Sequence, residues 1–327
     1  AVTWVDGTGG LIGPVTSANS LIGPTAGDMA GYDGIRTLSN GNYLVLTSPW
    51  QSGGADNVGA ITWANGATGI SGVISAANSL VGSSDSDNIA SYYNITEVGN
   101  SNYLVFATGW DNGSVIDAGS ITWGSGTSGV SGVISAANSL VGSTSDDMDW
   151  AYIEYLSNGN VLLTAPRWDN GASADAGAVT FIDANTGKSG VISASNSLVG
   201  TTAGDNIGWG TRTLDNGNYL VYSTSWDNGA AVDAGALVWG SGTAGVSGVI
   251  SAANALVGSA SYDYVGNFTI LTNNNYVAYS PSWDNGGVVN AGAATWANGT
   301  TGISGTISAT NSLIGSNTND YVGEDGV

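Results

Sequence analysis

"IGWGTRTLDNGNYLVYSTSWDNGAAVDAGALVW", Ile207 to Trp239, carries the fold signal in one phrase. Two apolar runs, "IGWGTRTL" and "YLVYSTSW", flank "DNGN" (Asp215–Asn218), and an Asn-Gly pair between such runs is a strong hairpin signal. The second half, "SWDNGAAVDAGALVW" (Ser225–Trp239), sets two aspartates in a glycine-rich loop between two tryptophans. It returns as "GWDNGSVIDAGSITW" (Gly109–Trp123), "RWDNGASADAGAVTF" (Arg167–Phe181) and "SWDNGGVVNAGAATW" (Ser282–Trp296), and more loosely as "PWQSGGADNVGAITW" (Pro49–Trp63). A site needed once is rarely written five times, so the recurrence points to architecture before chemistry.

The leading tryptophan of that phrase falls at 50, 110, 168, 226 and 283, with spacings of 60, 58, 58 and 57. "NSLVG" or a close variant starts at Asn19, Asn78, Asn138, Asn196, Asn254 and Asn311. One aspartate per unit precedes an apolar or aromatic strand: Asp28, Asp87, Asp147, Asp205, Asp263 and Asp320. The chain of 327 residues therefore reads as a single repeat domain. It has a half unit at 1–24, complete units at 28–83, 87–143, 147–201, 205–259 and 263–316, and the start of a further first strand at 320–327.

Within a unit, "GALVW" (Gly235–Trp239) is the expected third strand and "SGVIS" (Ser247–Ser251) the fourth. No stretch keeps a helical period over the 10 to 12 residues a helix needs. Four antiparallel strands per unit predict an all-β fold, a β-propeller of four-stranded blades, with a β-solenoid or open repeat array as the alternative. The half unit and the segment 320–327 are expected to form a split, incomplete sixth blade, unless the chain is a fragment of a longer array.

Composition narrows the function classes. With 25 acidic and 4 basic residues the net charge is −21, which opposes nucleic-acid binding and attraction to anionic membranes. No apolar run is long enough for membrane insertion. The absence of cysteine removes disulfides and thiolate metal sites. The absence of histidine removes the commonest general base, so the expectation is a protein that is not an enzyme. Asp149 and Glu154 are the one carboxylate pair that is not a repeat feature, a weak glycosidase dyad. "AVTWVDGTGG" (Ala1–Gly10) lacks the basic and apolar segments of a signal peptide, which fits a processed or excised start. A hydrophobic content of 42% with 12 tryptophans argues for a packed structure.

The repeated aspartates, Asp111, Asp117, Asp169, Asp175, Asp227 and Asp233, offer a calcium loop as one reading, although no cofactor is otherwise expected. Asn290 and Gln51 replace an acid in two units, which fits hydrogen-bonded turns better than metal ligands. Trp4, Trp63, Trp123, Phe181, Trp239 and Trp296 recur once per unit, as do Trp50, Trp110, Trp168, Trp226 and Trp283; packing between blades is the expectation for both sets. The alternative is a ring of glycan sites built from Trp110, Asp111, Trp168, Asp169, Trp226, Asp227, Trp283 and Asp284.

The phrases "LSNGNYLV", "WDNGxxxDAGAxTW" and "GxISAxNSLVG" resemble repeats of large secreted bacterial exoproteins of the filamentous-haemagglutinin type, over essentially the whole chain. The order of strands and the "GA" third strand are more weakly similar to the FG-GAP blades of integrin-type propellers. The calcium loop of those blades is not matched, since of the corresponding turns only Asp215–Asn218 holds an acid. The first resemblance implies a secreted or cell-surface location in a bacterium and an adhesive or structural role. Its expected partners are further copies of the chain, joined through exposed strand edges, or cell-surface glycans.

Overall fold

The computed structural model describes residues 1–91 and 94–324. Tyr92, Tyr93 and residues 325–327, the end of the expected sixth first strand, lie outside the described residues. The fold is all-β and of the β-propeller class: six sheets, four of five strands, one of four and one of two. Among the described residues helical structure is limited to short 3-10 stretches, such as the turn at Gly99–Ser101.

The fourth repeat shows how a sheet is made. Gly210–Thr213 and Tyr219–Ser223 form the hairpin read from "DNGN", with Arg212 opposite Leu220. Gly217 closes the turn at φ +88°, a conformation glycine reaches without a Cβ penalty. The third strand, Ala236–Gly240, pairs antiparallel with the second, Val221 opposite Val238. The next antiparallel neighbour is not "SGVIS" but Ala255–Val257, from "ANALVG". Gly248–Val249 of "SGVIS" leaves for the preceding sheet and lies parallel to Leu198–Val199. The expected fourth strand is thus corrected: each of the four five-stranded sheets is closed by its own "LV" strand and then covered by the "GV" strand of the repeat that follows. A fourth strand that has to cross to its neighbour welds successive repeats by backbone hydrogen bonds as well as by packing.

By contacts the chain divides into two compact units, Ala1–Met148 with Asp183–Val191, and Asp149–Ile182 with Ile192–Val327. In the first unit one core cluster joins Leu44, Leu46, Ile61 and Leu80 of one repeat to Tyr103, Val105 and Trp110 of the next. In the second, Leu162, Val179 and Leu198 meet Tyr219, Val221 and Trp226 in the same way. Since each inner sheet is covered on both faces, its second strand reads as a continuous apolar run rather than an alternating one; Val161–Ala165 is buried at every position. Tyr219 is fully buried opposite Gly240, where a Cβ would lie 2.1 Å from the ring, and its hydroxyl accepts a bond from Val246 N–H at 3.1 Å. Burial pushes the phenols of Tyr103, Tyr219 and Tyr276 well above their ordinary range.

Candidate functional site

The loop after the second strand is a hydrogen-bonded turn. Asp111 Oδ1 accepts the Asp117 N–H at 2.9 Å, Asp169 that of Asp175 at 2.9 Å, Asp227 that of Asp233 at 2.8 Å, and Asp284 that of Asn290 at 2.7 Å. The second position is left-handed in each, with φ of 54° at Asp117, 53° at Asp175, 52° at Asp233 and 50° at Asn290. Asn and Asp tolerate that region best, which explains their exchange here on backbone grounds. The asparagine after the leading acid donates to the following strand: Asn228 Nδ2 to Gly258 O at 2.8 Å, Asn170 to Gly200 O at 2.8 Å. Among the described residues no three acidic side chains converge.

The aspartate before each first strand is a second knot. Asp263, fully buried, accepts Ser259 N–H at 2.7 Å and Ala260 N–H at 2.8 Å on Oδ2, and Asp284 N–H at 2.9 Å on Oδ1. Asp87 accepts Ser83, Ser84 and Asp111 N–H groups in the same pattern. Desolvation raises the carboxyls of Asp87 and Asp263 above the ordinary 3.8, against the lowering effect of those N–H donors.

The two tryptophan sets part company. Trp110, Trp168, Trp226 and Trp283 are 3–4% exposed, and their indole nitrogens find no acceptor among the described residues. A ring so covered offers no face to a sugar, so the glycan reading of these four, with Asp111, Asp169, Asp227 and Asp284 beside them, gives way to core packing and turn bonding. The third-strand aromatics instead grip the next repeat. Trp4 Nε1 donates to Gly66 O at 3.1 Å, Trp63 to Gly126 O at 3.1 Å, Trp123 to Ala184 O at 2.9 Å and Trp239 to Gly299 O at 3.0 Å. Three residues beyond that acceptor a left-handed glycine packs against the base of the aromatic side chain. A Cβ on Gly69, Gly129, Gly187 or Gly302 would come within 2.3–2.5 Å of the aromatic side chain. The turn asparagines add to the same grip: Asn216 and Asn218 donate to Gly299 O at 2.9 and 3.0 Å.

Equivalent open clefts lie beside these junctions. That at Trp239, with Val246, Asn254 and Ile303, has a volume of about 380 Å³; that at Trp123 with Lys188 about 430 Å³. Desolvation holds the Lys188 ammonium below its usual range. Asn254 is already committed on both side-chain atoms, to Ser251 N–H at 2.9 Å and Val249 O at 3.0 Å.

One aromatic cluster breaks the repeat. Trp150 and Trp209 are 61% and 52% exposed, with ring centroids 6.1 Å apart. Arg167 stands 5.4 Å from the Trp150 centroid and pairs with Asp149 at 2.7 Å. A cleft of about 220 Å³ opens beside Trp209, Asn206, Tyr222 and Thr224. Asp149 is thereby engaged by Arg167, while Glu154 stands on the strand Tyr152–Tyr155. The sequence singles out Asp149 here as part of a carboxylate pair with Glu154; Trp150 and Trp209 likewise stand outside the two tryptophan sets that recur once per unit.

A family described as "Repeat of unknown function (DUF5650)" matches residues 1–32, 37–91, 97–149, 155–209, 213–267 and 270–324. Neither a filamentous-haemagglutinin-type nor an FG-GAP family matches, so those resemblances reduce to membership of a repeat class. No curated protein matches. Similar solved structures include a catalytically inactive virginiamycin B lyase from Staphylococcus aureus with quinupristin, at 10% identity and a TM-score of 0.28, covering 85% of this chain and 69% of that one. A streptogramin B lyase gives 11% identity and 0.30, covering 88% and 85%. An exo-beta-1,3-galactanase from Clostridium thermocellum gives 12% and 0.26, covering 90% and 61%. Likeness at this level assigns no activity. The expectation that the chain is not an enzyme does not stand, because a missing histidine is no ground for exclusion: carboxylates also serve as general acids and bases, and the similar structures include enzymes.

Proposed function

We propose, for a chain that belongs to the DUF5650 family of repeats of unknown function, a structural and adhesive role as a rigid acidic array outside a bacterial cell. The observation that carries it is the use made of the repeated residues. The aromatic, glycine and asparagine positions that recur in every unit are engaged in joining one repeat to the next, as at Trp239, Gly302, Asn216 and Asn218. The location rests on the likeness of the repeat phrases to secreted exoproteins, and self-association is the partner reading it favours. The test is attachment of beads coated with the whole chain to surfaces coated with the same chain, with bacterial cells or with glycans. Attachment unaffected by free sugars is expected; failure to attach to any surface would sink the reading.

A second reading has its own observation, the exposed pair Trp150 and Trp209 with Arg167 and Asp149. Indole faces at this exposure suit stacking on a pyranose, and the nearby charged groups suit its hydroxyls. A glycan array decides it: selective binding lost in Trp150→Ala and Trp209→Ala, and kept in Lys188→Ala, would assign a single glycan site per chain. A blank array would leave the cluster as surface packing.

A further inference from the structure

Lys188 is the only lysine of the chain, and it stands where the repeat otherwise places an apolar residue. "GKSG" (Gly187–Gly190) answers to "GISG" (Gly69–Gly72), "GVSG" (Gly129–Gly132), "GVSG" (Gly245–Gly248) and "GISG" (Gly302–Gly305). Ile70, Val130, Val246 and Ile303 are partly buried there, each packed against a core cluster. An amine in that place is half-buried as well. Among the described residues no carboxylate pairs with it, the one salt bridge being that of Arg167 with Asp149. A packed apolar position has thus been given to a polar group without a counter-ion, which costs stability unless the group has a use.

The turn that carries Lys188 is held at both ends. Ala184 O accepts from Trp123 Nε1 and from Asn102 Nδ2, each at 2.9 Å, and Asp183 O accepts Gly187 N–H at 2.8 Å. Beyond the turn, Gly190–Val191 lies parallel to Leu140–Val141. Lys188 is thereby fixed in the wall of the cleft of about 430 Å³, beside Trp123, Val130 and Ala137. All of these residues belong to the same compact unit. Lys188 is the one titratable residue of that lining; Asp183, at the head of the turn, is engaged by Asn185 N–H at 2.8 Å. The clefts at Trp239 and at Trp4 are built alike and have Ile303 and Ile70 in the place of Lys188. The repeat therefore supplies its own comparison: one cleft geometry, with an amine added in one copy.

An ammonium sheltered by apolar side chains gives up its proton more readily than one in water, and burial holds Lys188 below the ordinary 10.5. The neutral amine is a nucleophile toward carbonyl carbon. A net charge of −21 disfavours carboxylate- or phosphate-bearing ligands, so the carbonyl compound that suits the cleft is uncharged. The volume is that of a small-molecule site.

We propose that Lys188 is a covalent carbonyl-binding site, which takes an uncharged aldehyde whose apolar body lies in the cleft against Trp123 and Val130. The Nζ lone pair attacks the carbonyl carbon and a C–N bond forms. A proton passes from nitrogen to oxygen, and the carbinolamine then loses water as the C–O bond breaks, leaving a C=N bond. Nothing is oxidised or reduced, and water reverses the step. The site is distinct from the Trp150 and Trp209 cluster and independent of the role of the repeated residues.

The test incubates the whole chain at pH 7 with benzaldehyde and cyanoborohydride, which traps the imine by adding hydride to its carbon. Peptide mass mapping locates the benzyl group. It is expected on Lys188, at a rate about tenfold or more above that of Nα-acetyl-lysine amide and saturating with benzaldehyde concentration. Lys188→Ile restores the residue of the other repeats and should leave only the terminal amine to react. Ala137→Phe, at an exposed position of the lining, keeps the amine but fills the cleft. It should lose the saturation and most of the rate advantage, with its melting curve as the check on folding. Three results would each overturn the proposal: a Lys188 no faster than the free amide, a rate that rises with benzaldehyde without saturating, or a folded Ala137→Phe that reacts like the parent. The second of these would mean a reactive amine without a binding cleft.

Discussion

The hydroxyls of Thr122 and Ser139, on neighbouring strands and both fully buried, lie 2.6 Å apart. The same pair recurs as Thr62 with Ser79 at 2.7 Å, Thr180 with Ser197 at 2.6 Å and Thr295 with Ser312 at 2.6 Å. In the fourth repeat both hydroxyls are gone together: Val238 faces Ala255 in the same register. A buried hydroxyl deprived of its partner costs far more than an apolar pair of similar shape. Ser139→Ala alone, which takes the partner from the Thr122 hydroxyl, should therefore cost about 1–3 kcal/mol; Thr122→Val should cost less, because Ser139 Oγ still donates to Asn138 Oδ1 at 3.0 Å, and the double variant should stay within about 1 kcal/mol of the parent. Chemical denaturation of the two single variants and the double checks it; additive single losses would refute the pairing.

Gly302 has φ +70° and would place a Cβ 2.5 Å from Trp239 Cβ. Gly302→Ala should lower stability by about 2–4 kcal/mol, through overpacking and left-handed strain together. Gly10→Ala, with the same backbone and open space, should cost only about 1 kcal/mol. Equal losses at the two positions would mean that the ring contact contributes nothing.

Asp263 holds three backbone N–H groups, so Asp263→Ala should cost about 2–4 kcal/mol. The pH dependence runs the other way from ordinary acid denaturation. The carboxyls of Asp87 and Asp263 are raised above 3.8 by burial, so between 3.8 and their folded values the native state binds more protons than the unfolded chain. Their contribution thus makes stability increase as pH falls toward 4, and relief of repulsion within a chain of net charge −21 acts in the same direction. Denaturation midpoints at pH 7, 5.5 and 4.5 should hold or rise; a steady fall across that range would contradict the assignment.

Trp226→Ala should cost about 3–5 kcal/mol, as for a large buried aromatic. Trp209→Ala, at 52% exposure, should stay within about 1 kcal/mol of the parent. The order of the two in thermal unfolding separates core from surface rings directly.

Much of this was legible without coordinates. The period, the "DNGN" hairpin, the third strand at "GALVW" and the turn role of Asp227 and Asp233 follow from local rules, because glycine, asparagine and β-pairing chemistry act over a few residues. What local rules do not encode is which strand a two-residue segment will choose. "SGVIS" follows the third strand in sequence, yet Gly248–Val249 pairs with Leu198–Val199 of the preceding repeat because its own sheet edge is taken by Ala255–Val257. The two tryptophan sets were indistinguishable in sequence, one of each per unit. Tertiary structure alone decided that Trp226 is sealed in a core while Trp239 is held against Gly302 of the next repeat. The physical reason is that burial of an aromatic face depends on what the neighbouring repeat sets against it, and a unit's own residues do not contain that information.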